Sequence, residues 1–256
     1  MKAGLIGYTG FVGSNLTTKF EFTHLYNSKN IEEITSESFD ILICAGAPAV
    51  KWKANQNPEE DMTTLTRLMN CLQSVQAKQF VLISTVDVYS IPKAVTEETV
   101  ITPEKTDPYG KHRFYLEQFV RGHFQEAYII RLPGLFGPGL KKNFIYDLIH
   151  DNCLHLTHKD SKFQFYYLDR IWVDIQTVLR NRINTMNFAT EPVIAQEIVE
   201  ECFGMEFNNL TEKAPVDYNM KTKYDKLFGG ENGYIYNKKQ IMEQLKQFVH
   251  NENRSL

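Results

Sequence analysis

The chain has no marked excess of either charge. Over 256 residues, 28 Lys and Arg stand against 31 Asp and Glu, a formal net charge of −3. That balance argues against a nucleic-acid-binding surface, which needs a cationic footprint. Cysteine is scarce. Cys44, Cys71, Cys153 and Cys202 form no Cys-x-x-Cys pair, and none sits near a histidine with metal-ligand spacing. Neither a zinc site nor a disulfide framework is therefore expected. His24, His112, His155 and His158 are scattered, which gives no metal-ligand spacing. No apolar run is long enough to cross a bilayer. Met1 to Gly7 lacks the apolar stretch of a signal peptide. The expectation is a reduced, cytoplasmic protein with no metal, membrane or nucleic-acid partner.

What is present is a chain that can bury a core: 43% of it is hydrophobic, with 13 Tyr and 17 Phe. Short apolar runs at Ala3–Ile6, Asp40–Ala45, Phe80–Ser84 and Tyr128–Leu132 read as buried strands, and Phe22–Tyr26 as a further strand. Helical spacing is seen over Val12–Lys19, Ile31–Ser36, Pro58–Gln76 and Tyr109–Phe124. Alternation of this kind indicates an α/β fold, a doubly wound parallel sheet of Rossmann type. After about Gly139 the pattern loosens. Helices are expected at Phe144–Ile149, Asp174–Arg182, Ile194–Phe203 and Lys238–His250, with an exposed strand over Phe163–Tyr167 and a polar, turn-rich stretch over 205–236. Residues 1–139 are expected to form the dinucleotide-binding domain and 140–256 a small C-terminal substrate lobe, with an approximate boundary.

The first strand ends in Gly7-Tyr8-Thr9-Gly10-Phe11-Val12-Gly13. A strand, a Gly-x-x-Gly-x-x-Gly turn and a helix form a phosphate-binding device. Gly7 permits the tight turn, Gly10 the approach of a pyrophosphate, and Gly13 close helix packing. The backbone around Phe11 and Val12 offers free N–H groups at the helix start. The acid that usually holds the ribose 2′-OH is missing. Asn27, Ser28 and Lys29 follow the second strand instead and could donate to a 2′-phosphate. NADP is the expected cofactor, with NAD the alternative; an ordinary polar turn explains the same residues.

Ser84-Thr85-Val86-Asp87-Val88-Tyr89 follows a buried strand, whose C-terminal end faces the ligand crevice in such sheets. Asp107-Pro108-Tyr109-Gly110-Lys111-His112-Arg113 comes next. Tyr109 and Arg113 share a helix face, so a fixed cation is expected to favour the phenolate of an acid/base tyrosine.

In combination these segments resemble the extended short-chain dehydrogenase/reductase family of sugar-nucleotide epimerases, dehydratases and reductases. Its pattern is the glycine turn, Ser-(Ser/Thr)-x-x-Val-Tyr, Tyr-x-x-x-Lys and Arg-Leu-x-x-x-(Tyr/Phe)-Gly-Pro. Here the last reads Arg131-Leu132-Pro133-Gly134-Leu135-Phe136-Gly137-Pro138. The resemblance implies that Tyr109 is the general acid/base and Thr85 orients the substrate oxygen. It places Pro133 to Leu135 at the nicotinamide, and Ala45, Gly46 and Ala47 beneath the adenosine ribose and pyrophosphate. It implies hydride transfer at a carbon of a nucleotide-linked sugar, and a homodimer.

Two departures stand out. The family lysine is Arg113, and arginine is longer, planar and always charged. The segment between Tyr26 and Asp40 is too short for the extra strand that contacts adenine in many relatives. Asp87 stands where family dehydratases carry a proton-abstracting glutamate; local capping or pairing is the plainer account of it. Trp52 and Lys53 follow the third strand's turn, where a substrate edge could lie; a surface loop is the plainer account of them. The leading expectation is an NAD(P)-dependent 4-ketosugar reductase, epimerase or dehydratase. A non-catalytic dinucleotide-binding sensor or assembly protein is the alternative.

Overall fold

A computed structural model describes residues 1–253. In chain order its main elements are β1 (Ala3–Ile6), α1 (Phe11–Thr17), β2 (His24–Tyr26), β3 (Ser38–Cys44), α2 (Lys51–Gln56), α3 (Pro58–Leu72), β4 (Gln76–Thr85), α4 (Pro108–His123) and β5 (Ala127–Leu132). Then follow β6 (Gly134–Phe136), α5 (Phe144–Ile149), β7 (Lys162–Phe163), β8 (Phe165–Tyr167), α6 (Ile171–Arg180), β9 (Thr185–Asn187), β10 (Val193–Ile194), α7 (Ala195–Phe203) and α8 (Lys238–Asn253).

The largest sheet has six strands in the order β2-β1-β3-β4-β5-β9, and the β1–β2, β1–β3 and β3–β4 pairs are parallel. All of β1 and the last four residues of β3 are buried. Helices cover such strands on both faces, which is why they read as continuous apolar runs. Strand order reverses at β1, whose neighbours are β2 and β3. A crevice for ligands opens at such a reversal, outside the carboxyl ends of the strands. One core cluster joins Ile6, Leu42, Leu65, Leu72, Phe80, Leu82, Leu116 and Ile129. In it Phe80 stacks on Phe124 at 4.0 Å between ring centroids. α3 starts on Pro58 with Glu59, Glu60 and Asp61 in its first turn, acids placed where the helix dipole favours them.

Contacts divide the chain into two interleaved units. Residues 1–91, 99–131 and 171–186 make the first; residues 92–98, 132–170 and 187–256 make the second. In the first, Trp172 of α6 lies on Phe20 at 4.3 Å. In the second, Phe136 stacks on Tyr167 at 4.9 Å and Tyr166 meets Phe188 at 5.1 Å. Glu97 binds the segment 92–98 into this unit by accepting from Asn187 N (2.9 Å), Thr222 Oγ1 (2.6 Å) and Lys223 N (3.1 Å).

Three sequence expectations need correction. The alternating stretch Phe163–Tyr167 is not an exposed strand: it breaks at Gln164, and Phe165 and Tyr166 are buried. The buried Gln164 amide is spent on the Met220 backbone, at 2.8 Å to its carbonyl and 2.7 Å from its N–H. Trp52 and Lys53 lie on the helix α2 rather than a loop. The helix expected over Ile31–Ser36 is a single 3-10 turn, Ile31–Ile34.

A fully buried ion pair locks α4 to the sheet. Glu117 meets Arg131 through two bonds, of 2.9 and 2.6 Å, and accepts from Ser84 Oγ at 2.6 Å. Arg131 also donates to Tyr89 Oη at 2.7 Å. Removing one member would strand a buried charge. Glu117→Ala is expected to cost about 3–5 kcal/mol of folding stability in urea titrations; a loss below about 1 kcal/mol would show the pair to be dispensable.

Candidate active site

The glycine turn has little room for side chains. Gly7 sits at φ +86°, and a Cβ there would lie 2.4 Å from the Ala45 carbonyl oxygen. A Cβ on Gly13 would lie 2.1 Å from the Gly7 carbonyl oxygen. Gly7 is thus pressed between β1 and the end of β3, and Gly13 seats α1 on the turn. Gly10 N donates to Gly7 O at 2.9 Å, while a Cβ on Gly10 would meet only that oxygen, at 3.3 Å. Gly10 leaves the outer side of the turn open. Phe11 and Val12 begin α1 and are half-buried. Ala45, Gly46 and Ala47 lie opposite, with a Gly46 Cβ excluded by Ile6 at 2.7 Å. The sheet order therefore brings the two expected backbone segments together at the switch point.

After β2 the turn is tied up by its own bonds. Asn27 Oδ1 accepts from Lys29 N at 2.8 Å, and Asn27 N donates to Asn30 Oδ1 at 2.7 Å. The Ser28 carbonyl accepts from Arg67 at 3.2 Å, and Arg67 also binds Glu32. Ser28 and Lys29 are exposed. Sequence reading missed Arg67, which arrives from α3 with no local signal.

Thr85 ends β4, and the turn after it places Asp87 back against its hydroxyl. Asp87 N donates to Thr85 Oγ1 at 3.2 Å, and Thr85 Oγ1 lies 3.3 Å from Asp87 Oδ2. α4 then packs directly on this turn. A Cβ on Gly110 would lie 1.9 Å from the Asp87 carbonyl oxygen, so only glycine allows this approach. Tyr109, the preceding residue, is buried. Burial pushes its hydroxyl above the ordinary range; the Arg113 charge opposes this, Asp87 adds to it, and Thr85 and Lys51 pull it back. The expected net preference for phenolate is therefore not met, because desolvation outweighs the cations.

Arg113 lies with its guanidinium carbon 4.4 Å from the Tyr109 ring centroid, but its hydrogen bonds point elsewhere. It grips both oxygens of Asp61, at 2.7 and 2.8 Å, and donates to the Pro48 carbonyl. His112 Nδ1 meets the same carboxylate at 2.8 Å. Arg113 Nε is buried with no hydrogen-bond partner. Lys111 faces away and rests over the Tyr115 ring at 5.8 Å. Pro133 is buried in the second unit. There, Gln164 and Tyr166 serve packing; Arg170 meets Tyr236 Oη at 3.2 Å.

Two further residues reach the site from α2. Asn55 Oδ1 accepts from Tyr109 N at 3.0 Å and so caps α4, whose own N-cap Asp107 makes no side-chain cap bond. Lys51 Nζ donates to Asp87 Oδ1 at 2.7 Å. Neither was visible in sequence, since α2 is only six residues long and has no apolar periodicity.

The model of the NAD dependent epimerase/dehydratase family matches residues 4–166. The chain belongs to that family. No curated protein sequence matches it. Among solved structures, a dTDP-4-dehydrorhamnose reductase of Bacillus anthracis in complex with NADP is 18% identical, with TM-score 0.75 over 98% of this chain and 99% of that one. UDP-glucose 4-epimerase of Thermotoga maritima with UDP-glucose is 16% identical, with TM-score 0.72 over 100% and 99%. TunA, an NAD dependent NDP-hexosamine 5,6-dehydratase, is 14% identical, with TM-score 0.75 over 99% and 98%. At these identities the likeness is one of fold. The short-chain dehydrogenase/reductase fold expected from the motifs is the fold observed.

In this family member Asp61 is the hinge of the buried cluster. Burial alone would raise its carboxyl, but bonds from Arg113 and His112 outweigh that and hold it below the usual carboxylate range. Such a group stabilises the fold above its unfolded value of about 3.9, and the contribution fades as pH falls through the lower folded value. Asp61→Ala is expected to lose about 3–5 kcal/mol near neutral pH by leaving Arg113 unpaired. In denaturant titrations the gap to the unmodified protein should narrow in acid. A gap independent of pH would show that the carboxylate charge is not what holds Arg113.

Proposed function

We propose that this protein transfers hydride at a carbon of a nucleotide-linked sugar, with NAD(P) as the redox partner. The observation that carries this is Tyr109 buried at the start of α4, which Gly110 seats against the turn after Thr85 at the carboxyl end of β4. In this reading Thr85 holds the substrate oxygen, and Tyr109 gives or takes its proton. A hydroxyl that stays protonated, as burial dictates for Tyr109, suits a proton donor to a sugar ketone as it becomes an alcohol.

The residues present fit a dinucleotide. Gly7 and Gly13 let the turn close tightly on itself, and Gly10 leaves its outer side open to a pyrophosphate. Gly7, Gly10, Phe11, Val12 and Gly13 would hold the pyrophosphate, with Ala45, Gly46 and Ala47 alongside. Arg113 Nε is an orphaned donor suited to a ribose oxygen, so Arg113 would keep the binding part of the family lysine's work. When bound, the dinucleotide supplies or accepts the hydride.

Asp87 pairs with Lys51 and Thr85, which supports a reductase or epimerase over a dehydratase. Ser28 and Lys29, exposed near Arg67 with no free acid on the turn, support NADP over NAD; Asn27 is committed to its own turn. A small-molecule substrate, a homodimer and a cytoplasmic setting complete the proposal. The four free cysteines and the lack, among the described residues, of any helix able to cross a membrane are compatible with that setting.

The test mixes the protein with NADPH or NADH and a panel of 4-ketosugar nucleotides, following loss of reduced-dinucleotide absorbance. Turnover is expected, faster with NADPH, and Tyr109→Phe should cut it by about a hundredfold or more while dinucleotide affinity holds. Dinucleotide binding without turnover on the whole panel would favour a non-catalytic sensor.

A further inference from the structure

The buried charges around Tyr109 do not have the arrangement the family motif implies. On α4, Arg113 is committed to Asp61 of α3 through both carboxylate oxygens, and His112 lies on the same acid. The Arg113 charge still favours phenolate on Tyr109, but its hydrogen bonds are spent on Asp61 and the Pro48 carbonyl. On the turn after β4, Asp87 brings a carboxylate to the Thr85 hydroxyl, and α4 sits on its backbone at Gly110. Left alone, that carboxylate would resist any negative charge forming on Tyr109.

The cation that answers it comes from α2. Lys51 Nζ donates to Asp87 Oδ1 at 2.7 Å, and one helical turn later Asn55 accepts from Tyr109 N at 3.0 Å. One short helix thus touches both the acid and the tyrosine of the site. The side chains of Lys51 and Asp87 are 42% and 19% exposed, so the pair adds little to folding. The neighbouring Lys53 faces Glu60 at 2.7 Å, away from the site.

We propose that Lys51 is a positioning residue of the proton-transfer site. It cancels the Asp87 charge, so that Tyr109 and Thr85 exchange the proton with substrate without an opposing carboxylate. In effect α2 adds a second cation to the one that Arg113 keeps, and sets it directly on the opposing acid. The inference rests on Tyr109 being the acid/base of the proposed reaction. Lys51 acts through Asp87 and Tyr109.

The test is an NMR titration of protein carrying 13C-labelled tyrosine, with the Tyr109 signal assigned by its loss in Tyr109→Phe. Lys51→Met is expected to move the Tyr109 midpoint upward by about half a unit or more. Lys51→Arg should restore it, and Lys53→Met should leave it unmoved. Adding Asp87→Asn to Lys51→Met should bring the midpoint back toward the unmodified value. An unmoved midpoint in Lys51→Met overturns the proposal, as does a double variant shifted as far as the single one. If Lys51→Met fails to fold, Lys51→Gln makes the same measurement with a polar head.

Turnover is read separately on the nucleotide-sugar panel. A shifted midpoint without turnover overturns the catalytic reading and keeps the role of Lys51 toward Asp87. Turnover with an unshifted midpoint does the reverse.

Discussion

Two buried ion pairs, one helical turn apart on α4, hold the candidate site in place. Arg113 reaches Asp61 of α3, and Glu117 reaches Arg131 of β5. Each charge is nine-tenths or more buried. Such pairs are favourable only where geometry is good and further hydrogen bonds serve the remaining atoms. Here both pairs are bidentate, and Ser84, Tyr89, His112 and the Pro48 carbonyl supply further partners, with Arg113 Nε left over. α4 is therefore fixed in register against β4 and α3. Gly110 then sets its distance from the Thr85–Asp87 turn, and Tyr109 has little freedom to be elsewhere.

Much of this was legible in the chain, for reasons that differ by residue. β1 and α5 match the bounds read from sequence, because an apolar run ending in glycine and a short apolar helix are local signals. α6 begins earlier than expected, since Ile171, Ile175 and Val178 extend the buried face toward its start. α2 left no signal: Lys-Trp-Lys-Ala-Asn-Gln buries only Ala54, and what it touches decides its conformation more than its own propensity.

The site shows the same divide. Thr85, Tyr109 and the glycine turn are motif residues whose spacing is set by one strand and one helix. Their partners are not. Lys51 and Asp87 are 36 residues apart, Asn55 and Tyr109 are 54, and Arg113 and Asp61 are 52. Contacts at such separation depend on how helices settle on a sheet, which residue spacing alone does not encode. The Arg113 exchange was visible as a departure. Its meaning, a guanidinium turned onto a buried acid, required the fold.

The sheet ends in β2 on one side and β9 on the other, and each is three residues long. An open margin is a row of unpaired N–H and C=O groups that can recruit a strand from another molecule. Two margins this short offer little template for such growth. The brief segment between β2 and β3 that leaves no room for an outer strand thus also trims the surface most prone to cross-β assembly, so that economy of chain and resistance to aggregation arise from the same shortening.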